Sequence, residues 1–387
     1  MQGNALDVPF VRSCVLKWLS KWNPGIRVAC EGMKEKTLLS GNEALAEAAI
    51  RAGCRFFYGY PITPQGELFE YLARKLPEVG GVFLQSESEV SAINMVFGTA
   101  AAGRRVITAS SSPGISLMQE GMSYLAAAQL PSLIVNIMRS GPGLGRIRPS
   151  QADYLQATKG GGHGDYRVIV LAPASVQEIA DLTLEAFRLA DEYRNPAMIL
   201  CDGMLGQMME GAILPDPINS DSLPLKPWAT TGARSRERNL ILSAPFTDDE
   251  LIALNLELKK KYETIKSCEQ RWDSRFLDDA ELVIIAFGSS ARIAEDAILK
   301  AREKGMKVGS IRPISLWPFP NKAFDVVKER AKGYLVVEMN NGQMVEDVLL
   351  AVRGNAPVHH FGKGGGWVPT AQEIYDTIEK TWRDLHG

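Results

Sequence analysis

The sequence has few of the residues that bind metals or form disulfides. It contains five cysteines and four histidines in 387 residues. The cysteines are scattered and include no C-x-x-C pair: Cys14, Cys30, Cys54, Cys201 and Cys268. This pattern excludes a disulfide framework and argues against a zinc or iron-sulfur site built by this chain alone, and it indicates a reducing cytoplasm. Because no H-E-x-x-H helix is present either, we expect no metal site in this chain.

Long apolar runs and an excess of one charge are also missing. No run reaches the roughly 18 apolar residues that a membrane span requires. The formal net charge is -2, which gives no electrostatic case for binding nucleic acid or an anionic membrane. The 35 glycines and 21 prolines accompany 45% apolar residues, so they indicate many tight loops in a folded chain rather than disorder.

The first 36 residues differ from the rest of the chain. Their short apolar stretches are interrupted by basic residues and lack an A-x-A cleavage pattern, so a signal peptide fits poorly. Met33 stands just before the first clean periodic segment. We therefore expect residues 1–36 to be an N-terminal extension of doubtful order. Whether residues 1–32 belong to the native protein or are an artefact of the assigned translation start stays open.

From Thr37 onward, helical and strand-like segments alternate, which predicts an α/β fold with a mostly parallel sheet covered on both faces. A proline-rich stretch at 215–227 and a charged helix at 247–272 interrupt this alternation, and a second βα series starts at residue 281. We therefore predict two domains and a helical linker: residues 37–235, the linker at 236–279, and a smaller α/β domain at 280–387.

Three loops that follow strands are unusual. In a parallel sheet, ligands bind at the carboxyl ends of the strands, so these loops are candidate binding segments. They are residues 59–65 (GYPITPQ), 110–113 (SSSP) and 139–164. A loop as long as the third is usually functional or mobile, and we interpret its GPGLGR run as a mobile lid. The run does not match the spacing of a phosphate-binding glycine motif.

Four polar residues in or beside these loops are candidate site residues. Two prolines stiffen the turn that presents the hydroxyl of Thr63, although an ordinary proline turn has the same pattern. Arg139 follows a buried strand, where a guanidinium can bind a carboxylate through two charge-assisted hydrogen bonds or be an ordinary surface group. Glu87 and Glu89 open a helix, and stabilisation of the helix dipole is the plainer explanation for either carboxylate.

Seven longer motifs occur in a fixed order along the chain. They are YPITP, QSESEVSAINMVFGTAAAG, TASSSPGISLMQEG, NIMRSGPGLGRIRPSQAD, GGGHGDYRVIVLAPASVQE, IRPISLWPFP and VVEMNNGQM. In this order they resemble the 2-oxoacid:ferredoxin oxidoreductases, over about residues 37–387. The resemblance is to the alpha-type subunit, which has a thiamine-diphosphate pyrimidine-binding domain followed by a transketolase C-terminal-like domain. Several stretches look most like the branched-chain (3-methyl-2-oxobutanoate) enzyme, and pyruvate and 2-oxoglutarate relatives share the scaffold.

This resemblance implies roles for individual residues. Glu89 lies nine residues before a helix glycine, and it matches the glutamate that hydrogen-bonds N1′ of the cofactor's aminopyrimidine. That contact favours the imino tautomer, which removes the C2 proton of the thiazolium. Thr63 matches a threonine that hydrogen-bonds the substrate, and Arg139 matches an arginine that binds the 2-oxoacid carboxylate. Pro61 and Ile62 of the same turn are expected to contact the cofactor.

The resemblance also implies a complex. The GDG signature that binds diphosphate and magnesium in thiamine enzymes is missing here, so a partner subunit is expected to hold the diphosphate with Mg²⁺. Further partners would be a gamma-type subunit and a ferredoxin-like subunit with [4Fe-4S] clusters. The expected reaction converts a branched-chain 2-oxoacid and coenzyme A to acyl-CoA and CO2, and passes electrons to ferredoxin.

Three alternatives stay open at this level. The first is a pyruvate-type or 2-oxoglutarate-type enzyme of the same family, because these relatives share the scaffold. The serine run at 110–112 and the stretch 139–164 depart from the pyruvate relatives, so the acyl pocket is not assigned. The second is a related thiamine enzyme that passes its electrons to another acceptor. The third is a non-catalytic scaffold whose site has decayed, which predicts no thiamine requirement.

Overall fold

The computed structural model describes residues 35–387, so nearly all of the expected N-terminal extension lies outside the described residues. Residues 37–387 form one compact unit. Its strands are β1 (Thr37–Ser40), β2 (Phe56–Gly59), β3 (Val82–Gln85), β4 (Val106–Ser110), β5 (Ser132–Ser140), β6 (Arg146–Pro149), β7 (Ile169–Leu171), β8 (Pro196–Asp202), β9 (Met209–Ala212), β10 (Trp272–Arg275), β11 (Leu282–Ile285), β12 (Val308–Pro313), β13 (Ser315–Trp317), β14 (Gly333–Glu338) and β15 (Val358–Gly362).

Helices connect most of these strands. They are α1 (Gly41–Arg51), α2 (Gly66–Glu78), α3 (Glu89–Ala101), α4 (Ser112–Ala127), α5 (Tyr154–Lys159), α6 (Val176–Tyr193), α7 (Gly203–Gln207), α8 (Asp248–Cys268), α9 (Gly288–Glu303), α10 (Lys322–Asp325), α11 (Met344–Val352) and α12 (Ala371–His386). A short 3-10 helix spans Ser220–Ser222 in the proline-rich stretch. None of the helices in the described part of the chain is long and apolar enough to cross a bilayer.

The larger sheet has the strand order β13-β7-β8-β5-β4-β2-β3, and β6 pairs with β5 beside this path. The pairings from β7 to β3 are parallel, whereas β13 and β6 pair antiparallel with their neighbours. Every residue of β4, β5 and β8 is buried, as expected for strands that helices cover on both faces. The α/β fold with a mostly parallel sheet is therefore confirmed.

The chain changes direction within this sheet. From β2 it steps outward to β3, then returns past β2 to β4 and continues the other way to β5. Because crossovers between parallel strands are right-handed, α2 and α3 cover opposite faces. Accordingly, α3 packs against α4, whereas α1 packs against α2 and α6. The loops after β2 and β4 therefore diverge and leave a crevice at the carboxyl edge, where ligands bind in such sheets.

The second sheet has the order β10-β12-β11-β14-β15, with only β10 antiparallel. Helices α9 and α12 pack against each other beside it, over a separate cluster of buried apolar side chains. One strand of this C-terminal stretch leaves it: β13 extends the larger sheet, where Ser315 pairs with Leu171 and Trp317 with Val170. Strands β1 and β9 form a small antiparallel pair.

Two local predictions from the sequence are wrong. The stretch 139–164 is not one loop, because Arg139 lies inside β5 and β6 folds back on that strand. Helix α5 then follows within the same stretch. The charged helix predicted for 247–272 ends at Cys268, and Trp272–Arg275 forms the edge strand β10 on β12. Edge strands tolerate charged residues, so the WDSR sequence gave no apolar strand signal.

Candidate functional site

The loop after β2 carries the YPITP motif and is held by two side chains. Asn42 Nδ2 donates a 2.9 Å hydrogen bond to the carbonyl oxygen of Pro64. Gln65 Nε2 donates one of 3.3 Å to the carbonyl oxygen of Tyr60, which closes the turn on itself. Thr63 lies between these contacts with an exposed side chain, so its hydroxyl is accessible. The other two residues that the sequence singled out are the exposed Pro61 and the half-buried Ile62.

Glu89 is the first residue of α3 and is 6% exposed. The helix is capped by its neighbour, because the hydroxyl of Ser88 accepts a hydrogen bond from the backbone N–H of Ser91. The exposed Glu87 accepts hydrogen bonds from the hydroxyls of Ser88 and Ser91, at 2.9 and 3.0 Å. Within the described residues, no hydrogen bond reaches the carboxylate of Glu89. Ser88 therefore caps the helix, Glu87 bonds only the neighbouring hydroxyls, and the Glu89 carboxylate in the first turn is left available.

Gly114, in the first turn of α4, lies against this carboxylate. A Cβ atom at position 114 would stand 2.4 Å from Oε1 of Glu89 and 2.1 Å from Oγ of Ser110, so only glycine allows this approach. The hydroxyls of Ser110 and Ser111 are buried and have no hydrogen-bond partner among the described residues. Because buried polar atoms are nearly always paired, this cluster of unsatisfied groups indicates a ligand that supplies the partners.

Arg139, near the end of β5, is 8% exposed. Its Nη1 donates a 3.1 Å hydrogen bond to the carbonyl oxygen of Thr63, and its Nη2 donates one of 2.9 Å to that of Leu144. Its Nε has no partner among the described residues, and none of their carboxylates forms an ion pair with it. The guanidinium is therefore oriented by neutral acceptors, and its charge remains available to an anion.

Ser112 connects the two halves of the site. Its hydroxyl accepts a 3.0 Å hydrogen bond from the backbone N–H of Arg139 and lies 3.1 Å from the carbonyl oxygen of the same residue. Since Gly114, two residues further on, lies against the carboxylate of Glu89, the segment 110–114 contacts both Glu89 and the backbone of Arg139. The structure thus brings Thr63, Glu89 and Arg139 to one edge of the sheet.

The turn between β5 and β6 contributes the Leu144 carbonyl. Gly143 and Gly145 both have positive φ, at 68° and 62°. A Cβ atom on Gly145 would stand 1.7 Å from the carbonyl oxygen of Ser140, whereas one on Gly143 would meet nothing within 4 Å. The GPGLGR run, interpreted from the sequence as a mobile lid, is thus the tip of a β-hairpin, and its mobility stays a prediction.

A cleft of about 810 Å³ opens beside Arg139. Its lining includes Ser112 and Asp153 on one side, and Asn340 and Lys363 from the C-terminal stretch on the other. Burial raises the pKa of Asp153, and Nδ2 of Asn136 donates a 2.9 Å hydrogen bond to its carboxylate. The turn that contains Lys363 therefore borders the candidate site.

Sequence reasoning did not single out Ser112, Gly114 or Asp153 as individual residues. The serine run and the SQAD motif were recognised as unusual, but spacing alone could not assign hydrogen bonds to their members. One sequence signal that could have been used is the glycine in the first turn of α4. Glycine in a helix lowers stability, so its presence there indicates a close contact that a larger side chain would block.

The residues at the crevice fit the pyrimidine end of thiamine diphosphate. An aminopyrimidine carries ring nitrogens and an amino group, which complement an unpaired carboxylate and two unpaired hydroxyls. The diphosphate end needs a bound cation. Within the part of the chain that the structure describes, no group of three or more His, Cys, Asp or Glu residues could hold a metal ion.

Two family models match the chain. Residues 47–247 match "Pyruvate flavodoxin/ferredoxin oxidoreductase, thiamine diP-bdg", and residues 280–374 match "Pyruvate:ferredoxin oxidoreductase core domain II". Both matches fall on segments that the sequence motifs had assigned to the same family. The first of them contains Thr63, Glu89 and Arg139.

Individual proteins show the same relationship. A ketoisovalerate oxidoreductase subunit VorB from Methanothermobacter thermautotrophicus is 48% identical over 90% of this chain and 98% of its own length. A 2-oxoglutarate synthase subunit KorA from the same organism is 36% identical, over 90% of this chain and 99% of its own. A solved structure of 2-oxoglutarate:ferredoxin oxidoreductase from Magnetococcus marinus, with 2-oxoglutarate, coenzyme A and succinyl-CoA bound, is 25% identical. It superposes with a TM-score of 0.80 and covers 90% of this chain and 66% of that chain.

Proposed function

The chain belongs to the 2-oxoacid:ferredoxin oxidoreductase family, and on that basis we propose that it supplies the pyrimidine-binding half of a thiamine diphosphate site in a multi-subunit enzyme. The family assignment made from the sequence motifs is confirmed by the matches to VorB and to both family models. The observation that supports the proposal is that a buried Glu89 carboxylate without a hydrogen bond and a buried Arg139 guanidinium without an ion pair, among the described residues, both lie at the carboxyl edge of the larger sheet.

In this proposal each residue has one task. Thiamine diphosphate, when bound, supplies the carbanion chemistry that decarboxylation of a 2-oxoacid requires. Glu89 holds or shares a proton at N1′ of the aminopyrimidine, while Pro61 and Ile62 contact the ring. Arg139 binds the substrate carboxylate, and the Thr63 hydroxyl binds the substrate beside it. Together they fix the keto carbon in a reactive orientation, which lowers the entropic part of the barrier.

We propose a branched-chain 2-oxoacid as the substrate. The support is the higher identity to the ketoisovalerate oxidoreductase subunit, 48%, compared with 36% to the 2-oxoglutarate synthase subunit. Coenzyme A would be the acyl acceptor, as it is a bound molecule in the related 2-oxoglutarate enzyme. The pyruvate-type and 2-oxoglutarate-type activities remain the alternatives to exclude.

The proposed complex has three further kinds of subunit. One would hold the diphosphate with Mg²⁺, a gamma-type subunit would complete the core, and a ferredoxin-like subunit would carry [4Fe-4S] clusters to ferredoxin. In this chain we propose a pyrimidine-binding domain at 37–235, a helical linker at 236–279, and a transketolase C-terminal-like domain at 280–387. The unpaired state of Cys54, Cys201 and Cys268 supports a cytoplasmic location.

A non-catalytic scaffold is the competing proposal. It predicts that site residues are no longer held in a common geometry. Against it stands the arrangement of the three residues at one edge of the sheet: Arg139 bonds the Thr63 carbonyl oxygen, and the segment that contacts Glu89 through Gly114 also bonds Arg139 through Ser112. A scaffold would have no need for a glycine that makes room for a buried carboxylate.

The test is an assay of the purified complex. The chain is co-purified with its partner subunits, and the reduction of viologen is measured with 3-methyl-2-oxobutanoate, pyruvate or 2-oxoglutarate in turn. We expect reduction that requires both thiamine diphosphate and coenzyme A, with the highest kcat/KM for the branched-chain acid. Reduction without thiamine diphosphate, or no reduction with any of the three acids, would overturn the proposal.

A further inference from the structure

The cleft beside Arg139 has a second wall, which the C-terminal stretch supplies. Arg139 and Ser112 belong to the first wall of this space of about 810 Å³. Asn340, Asn341 and Lys363 belong to the second. Volumes in this range are typical of sites for drug-sized ligands. A small 2-oxoacid held by Arg139 would fill only a fraction of the cleft, so a second ligand has room there.

Hydrogen bonds fix the second wall to the first. Asn340 Nδ2 donates a 2.8 Å hydrogen bond to the carbonyl oxygen of Gln151, and Gln343 Nε2 donates one of 2.7 Å to that of Ala152. Oε1 of Gln343 accepts the backbone N–H of Leu155 at 3.0 Å. The two walls therefore have a set separation before any ligand arrives, which lowers the entropic cost of binding.

Asn341 carries a hydrogen-bond donor at this wall. Its Oδ1 accepts the backbone N–H of Gly364 at 2.8 Å, and this bond fixes the orientation of the amide. A Cβ atom on Gly364 would stand 3.2 Å from both polar atoms of that amide, so glycine favours the close contact. Nδ2 of Asn341 has no hydrogen bond to any residue that the structure describes, so both of its N–H groups can donate to a ligand.

Lys363 adds a positive charge without a counter-ion. Its side chain is exposed, and Nζ lies 5.0 Å from the centroid of the Trp367 ring. Among residues 35–387, no carboxylate forms an ion pair with it. Glu373 accepts the backbone N–H of Thr370 at 2.9 Å. Hydrogen bonds from Thr370 are the main cause of the lowered pKa of Glu373, and the charge of Lys363 contributes less.

We propose that Asn341, Lys363 and the turn at Gly364 form a phosphate subsite in this cleft, and that its occupant is coenzyme A. An ammonium beside an amide donor suits a phosphate ester, because hydrogen bonds to an ionised acceptor are roughly twice as strong as neutral ones. Coenzyme A carries a diphosphate and a 3′-phosphate, and its thiol has to reach the sheet edge where Arg139 would hold the 2-oxoacid. The inference rests on the proposed function and assigns to the C-terminal stretch a task in binding the acyl acceptor.

One other anion has to be separated from coenzyme A. A 2-oxoacid with an aliphatic chain has a single carboxylate, which the proposed function assigns to Arg139, so it offers no second anion to Lys363. A dicarboxylic 2-oxoacid would offer one. The KM values for the 2-oxoacid and for coenzyme A therefore distinguish the two occupants.

The experiment compares Lys363→Met, Asn341→Asp and the control Lys304→Met in the assembled complex. Methionine keeps an unbranched apolar side chain and removes the charge. Aspartate still accepts the N–H of Gly364 and replaces the free donor by a charged oxygen. Lys304, directly after α9, is exposed and does not line the cleft.

We expect the KM for coenzyme A to rise about tenfold in Lys363→Met and at least as much in Asn341→Asp, the order of effect of one hydrogen bond to a charged group. The KM for the 2-oxoacid, and both KM values of Lys304→Met, should change less than about twofold. Calorimetric titration of coenzyme A into the complex without 2-oxoacid should give the same ranking of Kd.

Dephospho-coenzyme A, which lacks the 3′-phosphate, identifies the phosphate that is bound. If Lys363 binds the 3′-phosphate, Lys363→Met should have similar KM values for the two forms. If Lys363 binds the diphosphate, the same variant should raise the KM for both forms by one factor. Either result supports the inference.

A native KM for coenzyme A in Lys363→Met would overturn the inference, as would a rise in the KM for the 2-oxoacid alone. If Lys363→Met does not assemble, Asn341→Asp decides by the same criterion. A native complex that reduces viologen without any need for coenzyme A would instead contradict the proposed function.

Discussion

The guanidinium of Arg139 donates a 3.1 Å hydrogen bond to the backbone carbonyl oxygen of Thr63, 76 positions earlier in the chain. This contact joins the loops that follow two different strands of the larger sheet. It places the guanidinium, which has no ion-pair partner among the described residues, on the turn that carries the accessible Thr63 hydroxyl, and these are the two groups proposed to bind the substrate.

Replacing Arg139 by lysine should weaken substrate binding. An ammonium keeps the charge but cannot reach Thr63, Leu144 and a carboxylate with one planar group. We expect the KM for the 2-oxoacid to rise roughly 10- to 100-fold, which corresponds to the loss of about 1.5–3 kcal/mol for a charge-assisted hydrogen bond. Arg104→Lys at an exposed position is the control and should leave KM unchanged. Equal KM values for the two variants would contradict the role of Arg139.

Glu89 and Glu87 form a matched pair, two residues apart at the start of α3. In Glu89→Gln the amide cannot hold or share a proton at N1′, so we expect kcat to fall about 100-fold or more, the usual range for lost acid-base catalysis. Glu87→Gln should remain within about twofold, since Glu87 is exposed and only accepts hydrogen bonds from Ser88 and Ser91. Steady-state assays of both complexes give the comparison. Full activity of Glu89→Gln would show that catalysis does not require the carboxylate of Glu89.

Gly114→Ala tests the close approach of Glu89. The added methyl carbon would stand 2.4 Å from Oε1 of Glu89, so the carboxylate or helix α4 must shift. We expect the concentration of thiamine diphosphate needed for half-maximal activity to rise at least about tenfold, the order of effect of one lost hydrogen bond to a charged group. Gly98→Ala is the control, because its methyl group meets nothing within 4 Å. If Gly114→Ala needs no more thiamine diphosphate than the native complex, cofactor binding does not depend on the close approach of the Glu89 carboxylate to residue 114.

Gly145→Ala and Gly143→Ala separate backbone strain from steric collision. Both alanines must adopt positive φ, which costs about 1–2 kcal/mol each. Only the methyl group at position 145 collides with the carbonyl oxygen of Ser140, so only this variant should displace the Leu144 carbonyl from Arg139. We expect the KM for the 2-oxoacid to rise in Gly145→Ala and to stay near the native value in Gly143→Ala. Equal KM values in the two variants would show that the hairpin does not contribute to substrate binding.

Part of this molecule could be predicted from its sequence and part could not. The alternation of buried strands and amphipathic helices is local, so the parallel sheet and the edge that carries the site followed from periodicity. The residues Thr63, Glu89 and Arg139 were chosen as candidates by their position after strands and by motif resemblance, and the structure brings them to one edge of the sheet. The bonds of Ser112 were not, because a serine next to a proline at a helix start has the same local pattern whether or not it contacts a distant strand.

Other misses have related causes. Strand β6 carries the sequence RIRP, whose charged residues give no strand signal, and it forms only because the glycine turn folds it onto β5. Gln151 resembles an ordinary polar loop residue, yet it is fully buried against a stretch more than 130 residues away. Contacts of this kind depend on how the two sheets meet, and single-segment patterns contain no information about that.

The antiparallel pairing of β13 with β7 bears on how the chain is made. The edge of the larger sheet stays open until a segment about 140 residues further along has been synthesised, since Leu171 pairs with Ser315. Closing so long a loop costs conformational entropy, and an uncovered strand edge invites pairing with other molecules. During translation, the sheet that carries the candidate site would therefore be exposed to misassembly until just over four fifths of the chain has left the ribosome.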